Sequence, residues 1–326
     1  MTAAPGSASV LLVAWRAADT IGAAIDGALA QTVPCEIIIS DDASPDDTYE
    51  VARRHVEGYA GPHRVVVRRS ETNRGLGRHL SELMAMARGD VFVVMAGDDI
   101  SRPQRVERCL AAFSENPDVY IVGSAVDEID MHGGPLRQGV KHMPAAFDLA
   151  WFLRAGKLAT LLGATIALRR EVFDRFGPLT AGAEDNILSL RAAVLGRGLC
   201  LAEALVEYRQ NPDSLGNWIF ARGDDTPAAF RRRYERTVRM YRDVAEDLEH
   251  AIAATPALDA ERRVNAMRIV EMYRIEADAR EAILTRPRSE WLAPIWRGLR
   301  HPGLRRKSAE RAVKLLLPRR WFGLKG

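Results

Sequence analysis

VFVVMAGDD, residues 91–99, is the stretch that decides the fold. Its unbroken apolar run from Val91 to Met95 suits a strand buried on both faces. Two acids, Asp98 and Asp99, stand in the loop that follows. The same grammar recurs upstream. SVLLVA (9–14) and EIIIS (36–40) are apolar runs of the same kind, and the second opens into DDASPDDT (41–48), a turn sequence with helix-capping residues near its end. RVVVR (64–68) is another strand. Between the strands lie helical patterns. Ile21, Ile25 and Leu29 recur at i, i+4 and i+8. Further helices are predicted over Thr48 to Val56, Leu76 to Arg88 and Pro103 to Phe113, with Gly89 closing the second where a helix end favours glycine. Val119 to Val122 is the next strand. Strand and helix in alternation mean an α/β fold, a mainly parallel sheet with flanking helices. Such sheets bind ligands beyond the carboxyl ends of their strands, where Asp41–Asp42 and Asp98–Asp99 fall.

Further along, Phe147 to Ala155 reads as a helix, Gly163 to Leu168 as a strand and Arg170 to Phe176 as a short helix stopped by Gly177-Pro178. Glu184 to Leu195 reads as a helix and Cys200 to Tyr208 as a strand. After about Asn217 strand signals give way to long Arg- and Glu-rich helical stretches, Pro227 to His250 and Leu258 to Leu284. The expected boundary is therefore near residue 216: an α/β domain over 1–216, then a helical region over 217–326 whose last part, from about 291, is a basic tail.

Composition excludes several classes. Of 326 residues, 47% are apolar and 27% charged, which is globular rather than disordered. The three cysteines are far apart and form no disulfide framework or CxxC pattern. No HExxH or GxSxG occurs, so neither a zinc hydrolase nor a nucleophile elbow is indicated. GLG at 75–77 lacks the third glycine of a dinucleotide fingerprint and follows the wrong strand. The first residues carry no basic n-region, and the longest weakly polar run, Leu158 to Leu168, is far short of a bilayer span. No secretory leader or transmembrane helix is expected, and the chain is expected to be cytoplasmic.

The acids suggest chemistry. Asp98 and Asp99 at a strand end suit a hard divalent cation bound with phosphate oxygens, though acids in such a turn also serve as solvated caps. Asp41 and Asp42 carry the same ambiguity. Glu184 and Asp185 open a helix, where the dipole stabilises acids and where a general base could also stand.

Taken in order, SVLLVAWRAADTIGAAIDGALAQT, EIIISDDASPDDT, ETNRGLG, ARGDVFVVMAGDD, GATIALRREVFDRFG, AGAEDNILSLRAA and VEYRQNPDSLGN resemble the family-2 glycosyltransferases of the GT-A fold, a Rossmann-like nucleotide-binding fold, from about Ser9 to Asn211. The resemblance implies a metal-dependent, inverting transfer of a sugar from a nucleotide-diphosphate donor, a UDP-sugar first, to an acceptor hydroxyl in polysaccharide or lipid-linked glycan synthesis. It implies that Asp41 or Asp42 holds the nucleotide base, that Asp98 and Asp99 bind Mn²⁺ or Mg²⁺ against the donor diphosphate, and that Asp185 deprotonates the acceptor, with Glu184 as its substitute. Arg209 resembles a basic residue near the diphosphate, although an arginine at a strand end is more often an ion-pair partner. Ala96 replaces the first acid of the family's usual Asp-x-Asp-Asp, Leu80-Ser81 its common Arg-Asn pair, and Asn211 a frequent histidine. The Ala96 departure keeps open a catalytically inactive glycan-binding or scaffold relative. A nucleotidyltransferase is the nearest enzymatic rival, but it would carry a Gly-rich basic loop where this chain has AWRAADTIG.

Charge is uneven. The net +3 divides into +9 over Arg297 to Lys325 and about −6 elsewhere. Ser308 to Leu317 places Ala312, Leu315 and Leu316 together with Arg311 and Lys314 beside them. That pattern fits either an interfacial segment drawn to anionic lipid at the inner membrane face or a last helix packed on the domain. Nucleic acid is a poorer partner, since the body is acidic. A homo-oligomer is compatible with the sequence and not required by it.

Overall fold

The structure, a computed structural model, describes residues 6–180, 182–211 and 227–316. Its contacts form two compact units, Met1–Asp148 with Thr160–Gln210, and Leu149–Ala159 with Asn211–Gly326. The boundary expected near residue 216 lies outside the described residues.

The first unit is built on a ten-stranded sheet of order β3-β2-β1-β4-β9-β6-β10-β5, with β7 on β6 and β8 on β10. The strands are β1 (Ala8–Ala14), β2 (Glu36–Asp41), β3 (Arg64–Arg69), β4 (Val91–Ala96), β5 (Ile100–Ser101), β6 (Val119–Ile129), β7 (Pro135–Val140), β8 (Ala146–Phe147), β9 (Ala167–Arg169) and β10 (Arg197–Arg209). β3, β2, β1 and β4 are parallel neighbours, as the alternation predicts. β1 is buried along its whole length, because helices cover both faces of this half. Val10, Leu12, Ile37, Ile39, Val91 and Val93 share one cluster with Ile21 and Ile25 of α1 (Ile21–Leu29) and Phe113 of α4 (Arg105–Glu115). Each fully buried side chain of this size contributes about 1.5–3 kcal/mol.

The second half of the sheet is mixed. β9 is antiparallel to both β4 and β6, while β10 runs parallel to β6. The strand expected over Gly163 to Leu168 is shorter and later: Gly163–Thr165 is a 3₁₀ turn and only Ala167–Arg169 pairs. α3 (Leu76–Met86) also ends before Gly89, with Ala87 already extended. Gly89 serves another purpose than a helix stop: a Cβ there would lie 2.5 Å from the Ser9 nitrogen, so glycine lets the chain cross the start of β1. The remaining helices of this unit are α2 (Thr48–His55), α6 (Arg170–Phe176) and α7 (Glu184–Leu195).

The second unit is helical among its described residues: α5 (Leu149–Ala155), α8 (Pro227–Ala253), α9 (Ala260–Thr285), α10 (Leu292–Arg300) and α11 (Arg305–Leu316). Asp259 caps α9 by accepting the Arg262 N–H at 2.9 Å. α9 buries Ile269, Met272, Tyr273 and Ile275. It also buries a carboxylate, Glu276, fully enclosed and gripped by both terminal nitrogens of Arg311 at 2.6 and 2.9 Å. Arg311, which the sequence sets beside Ala312, Leu315 and Leu316, thus points into the unit. Lys307 follows it, donating to the Gly156 carbonyl at 2.6 Å.

Candidate active site

The parallel half of the sheet sets the site. Ala14 at the end of β1 lies opposite Asp41, and Val13 lies opposite Ala96. The Asp42 N–H donates to Ala14 O and the Gly97 N–H to Val13 O, each at 2.9 Å. The two acidic loops therefore leave the sheet on either side of one strand end.

Asp41 and Asp42 are both buried and do different things. Asp41 accepts the Ser44 N–H at 3.2 Å and pairs with Arg69 Nε at 3.2 Å, which closes its own turn. Asp42 accepts the N–H groups of Arg74 and Gly75, both at 2.9 Å, and so ties the loop after β3 to the strand edge. Beneath it, Ser40 Oγ and His79 Nε2 are 2.6 Å apart in the interior. Burial holds the His79 imidazole below its ordinary pKa, against the opposing pull of Asp42.

After β4, Asp98 is half-buried and Asp99 is buried. Asp99 Oδ1 accepts the Arg209 N–H at 2.8 Å. Burial, then the like charge of Asp98, raise the Asp99 carboxyl well above its usual range. Arg209, which the sequence offered to a diphosphate, has its guanidinium on main-chain carbonyls: Asp98 at 2.9 Å, Asp130 at 3.0 Å and Met131 at 2.8 Å. In this structure it is a clamp that holds the Asp98–Asp99 loop to the end of β10. An arginine so engaged accounts for the loop's shape without any ligand.

Glu184 and Asp185 open α7, after Ala183 in the left-handed region at φ 75°. The Gly163 N–H donates to Asp185, and a Cβ at Gly163 would come within 2.6 Å of Asp185 Oδ1. Burial first, then neighbouring Glu184, push the Asp185 carboxyl well above the usual aspartate range, and burial raises Glu184 as well.

Strand register joins this third acid pair to the other two. β9 pairs antiparallel with β4, Val93 opposite Ala167, and the Val94 N–H donates to Ile166 O at 2.8 Å. Followed backwards, the Gly163–Thr165 turn runs beside the last residues of β4. Asp185, against Gly163, thus stands at the same carboxyl edge as Asp42 and Asp98.

Backbone strain collects there too. Among the described residues, the non-glycine positions with positive φ are Arg16, Ala43 and Ala183, at the ends of β1 and β2 and at the start of α7. Each left-handed non-glycine residue is disfavoured, and such residues concentrate at functional sites. Arg16 follows Trp15, which is half exposed, and its guanidinium lies 4.5 Å from the indole centroid.

The donor set fits a divalent ion that draws most of its ligands from phosphate and water. Asp98 and Asp99 supply hard oxygens, and no described cluster of three or more His, Cys, Asp or Glu forms an all-protein cage. Sequence reasoning missed two members of the edge, His79 and Gly163. Neither carries a motif; His79 meets Ser40 from 39 residues away, and Gly163 matters only for the carboxylate lying on it.

The pattern of Glycosyl transferase family 2 matches residues 9–177. EpsE of Bacillus subtilis (strain 168), assigned as a glycosyltransferase, is 28% identical over 218 residues, 63% of this chain and 74% of EpsE. Among solved structures, S. aureus TarS 1-349 in complex with UDP-GlcNAc superposes with a TM-score of 0.56 at 16% identity, covering 95% of this chain and 92% of that one. The mannosyltransferase PcManGT from Pyrobaculum calidifontis, in complex with GDP-Man and Mn²⁺, gives 0.54 at 18% identity, covering 99% and 84%. At these identities the structural likeness concerns the fold.

Proposed function

Because this chain belongs to glycosyl transferase family 2, and is a glycosyltransferase in that coarse sense, we propose that it is an inverting enzyme taking a nucleotide-diphosphate sugar as donor and a glycan or lipid-linked hydroxyl as acceptor. What supports the reading is that strand register sets the loops of Asp42 and Asp98 and the turn beneath Asp185 at one edge of the sheet. Asp42, or Asp41 beside it, receives the nucleotide base in the cradle of the loop after β3. Asp185 accepts the proton of the acceptor hydroxyl, whose oxygen bonds to the anomeric carbon from the face opposite the diphosphate as the bond to diphosphate breaks. A carboxylate raised by burial is suited to that proton transfer. Glu184 stands beside it and is the fallback base. A divalent cation, Mn²⁺ or Mg²⁺, held by Asp98 with Asp99 behind it, would supply Lewis-acid neutralisation of the departing diphosphate. Arg209 positions the Asp98–Asp99 loop. No described helix is long and apolar enough to cross a membrane, and the reading includes a cytoplasmic location, where nucleotide sugars are made.

UDP-sugars are the first donors to test, with GDP-sugars beside them, since the two solved neighbours carry one of each. A thermal-shift screen of both series with and without Mn²⁺ is the direct experiment. A saturating ligand at about 100 times its Kd stabilises by about 2.7 kcal/mol, or several degrees in Tm. No shift with any nucleotide sugar, and no product with any acceptor, would end the reading. Glycan binding without turnover would favour the scaffold that Ala96 keeps open.

A further inference from the structure

α10 has two unlike faces. Pro294, Ile295 and Gly298 turn inward. Gly298 sits so close to α11 that a Cβ there would reach 2.0 Å from Ser308 Oγ. Ile295 joins Ala282 and Trp291 in a small core. The outward stripe reads Leu292, Trp296, Arg300, at i, i+4 and i+8. Leu292 and Trp296 are each 59% exposed, and the Arg300 guanidinium lies 5.2 Å from the Trp296 ring centroid.

Four other described basic residues on α10 and α11 are already paired. Arg297 pairs with Asp278 at 2.8 Å, Arg306 with Glu310 at 3.2 Å, and Arg311 and Lys307 converge on Glu276. Arg300 and Arg305 have no carboxylate partner among the described residues. One of these two cations, Arg300, lies beside the exposed indole, and the other, Arg305, opens α11.

We propose that the Leu292–Trp296–Arg300 stripe of α10 seats this chain in the headgroup layer of an anionic lipid bilayer. An indole and a leucine side by side in water are unfavourable, whereas the interface between headgroups and acyl chains accepts an amphipathic ring. A guanidinium held over that ring stands where a lipid phosphate could meet it, and arginines are drawn to a negative leaflet. Charge complementarity is what selects lipid as the occupant: the stripe ends in one cation, Arg300, without a carboxylate partner among the described residues, and has no acid of its own. Seating does not depend on sugar transfer, and an inactive relative would bind in the same way.

The test uses the full chain with phosphatidylcholine vesicles, with and without phosphatidylglycerol. Flotation should recover protein only with the anionic vesicles. The double variant Leu292→Ser/Trp296→Ser, and separately Arg300→Glu, should each lower the bound fraction at least about fivefold. Circular dichroism and Tm should stay unchanged, because these side chains are exposed. Brominated lipids should quench the wild-type fluorescence, and Trp296→Phe should remove most of that quenching while keeping the fold. Wild-type protein that ignores anionic vesicles would overturn the proposal. So would double-variant protein that binds like wild type, including the case where removing residues 317–326 alone abolishes binding. A wild-type dimer that the stripe variants convert to monomer, with no lipid binding, would reassign the face to a second copy of the chain.

Discussion

Asp185 shows how the site trades stability for chemistry. Its carboxyl is raised by burial and by Glu184, so the folded state holds its proton more tightly than the unfolded chain does. The contribution of Asp185 to stability is therefore greatest below the ordinary aspartate range and is lost as pH rises through its raised folded-state pKa. Asp185→Asn removes that cost. The variant should lose transfer, keep nucleotide-sugar binding and melt higher, by roughly 2–4 °C for each 1 kcal/mol relieved. A thermal scan beside a turnover assay checks both halves; retained turnover would move the base to Glu184. Gly163→Ala tests position rather than charge. The added methyl would come 2.6 Å from Asp185 Oδ1, so the carboxylate must shift. Turnover should fall by at least about tenfold, since displacements on the order of 1 Å cost that or more, with donor affinity unchanged in a binding titration.

At the scale of elements, the docking of α11 rests on one buried carboxylate. Burial alone would raise the Glu276 carboxyl, but the Arg311 hydrogen bonds, with Lys307 and Arg280 nearby, hold it below the usual glutamate range. Glu276 therefore stabilises the fold above that range, and the stabilisation fades as pH falls through it. Glu276→Gln should lower stability by about 3–5 kcal/mol, because it leaves Arg311 buried without its counter-charge. It should also flatten the acid limb of stability against pH. Urea midpoints measured across the acid range for both proteins would show this; equal acid limbs would mean that another carboxylate governs. The sequence hid the arrangement because Glu276 and Arg311 are 35 residues apart and each looks like an ordinary surface charge on a helix.

At the scale of the whole molecule, the two units contrast in how they use charge. In the first, acids gather at the end of a parallel sheet, and main-chain N–H groups offset much of the cost of burying them. In the second, a carboxylate is enclosed among cations within a helical assembly. Leu149–Ala159 joins the second unit although it lies deep within the first in sequence, so the chain enters the helical unit twice. Periodicity in the sequence marks α5 as a helix, but only contacts reveal which core it joins.

Local pattern was enough for the parallel half of the fold. Apolar runs such as SVLLVA and VFVVM must be buried on both sides, and that demand is written in consecutive residues. The acids at the strand ends were legible for the same reason, since a strand's end fixes where its next residues stand. Tertiary structure alone decided which of those acids are engaged by distant main-chain groups. Asp99 and Arg209 hold each other's loops, Arg311 turns inward to Glu276, and Gly163 makes room for Asp185. Each of these rests on a contact between residues distant in the chain, and the free energy of burying a charge depends on neighbours that no window of sequence contains.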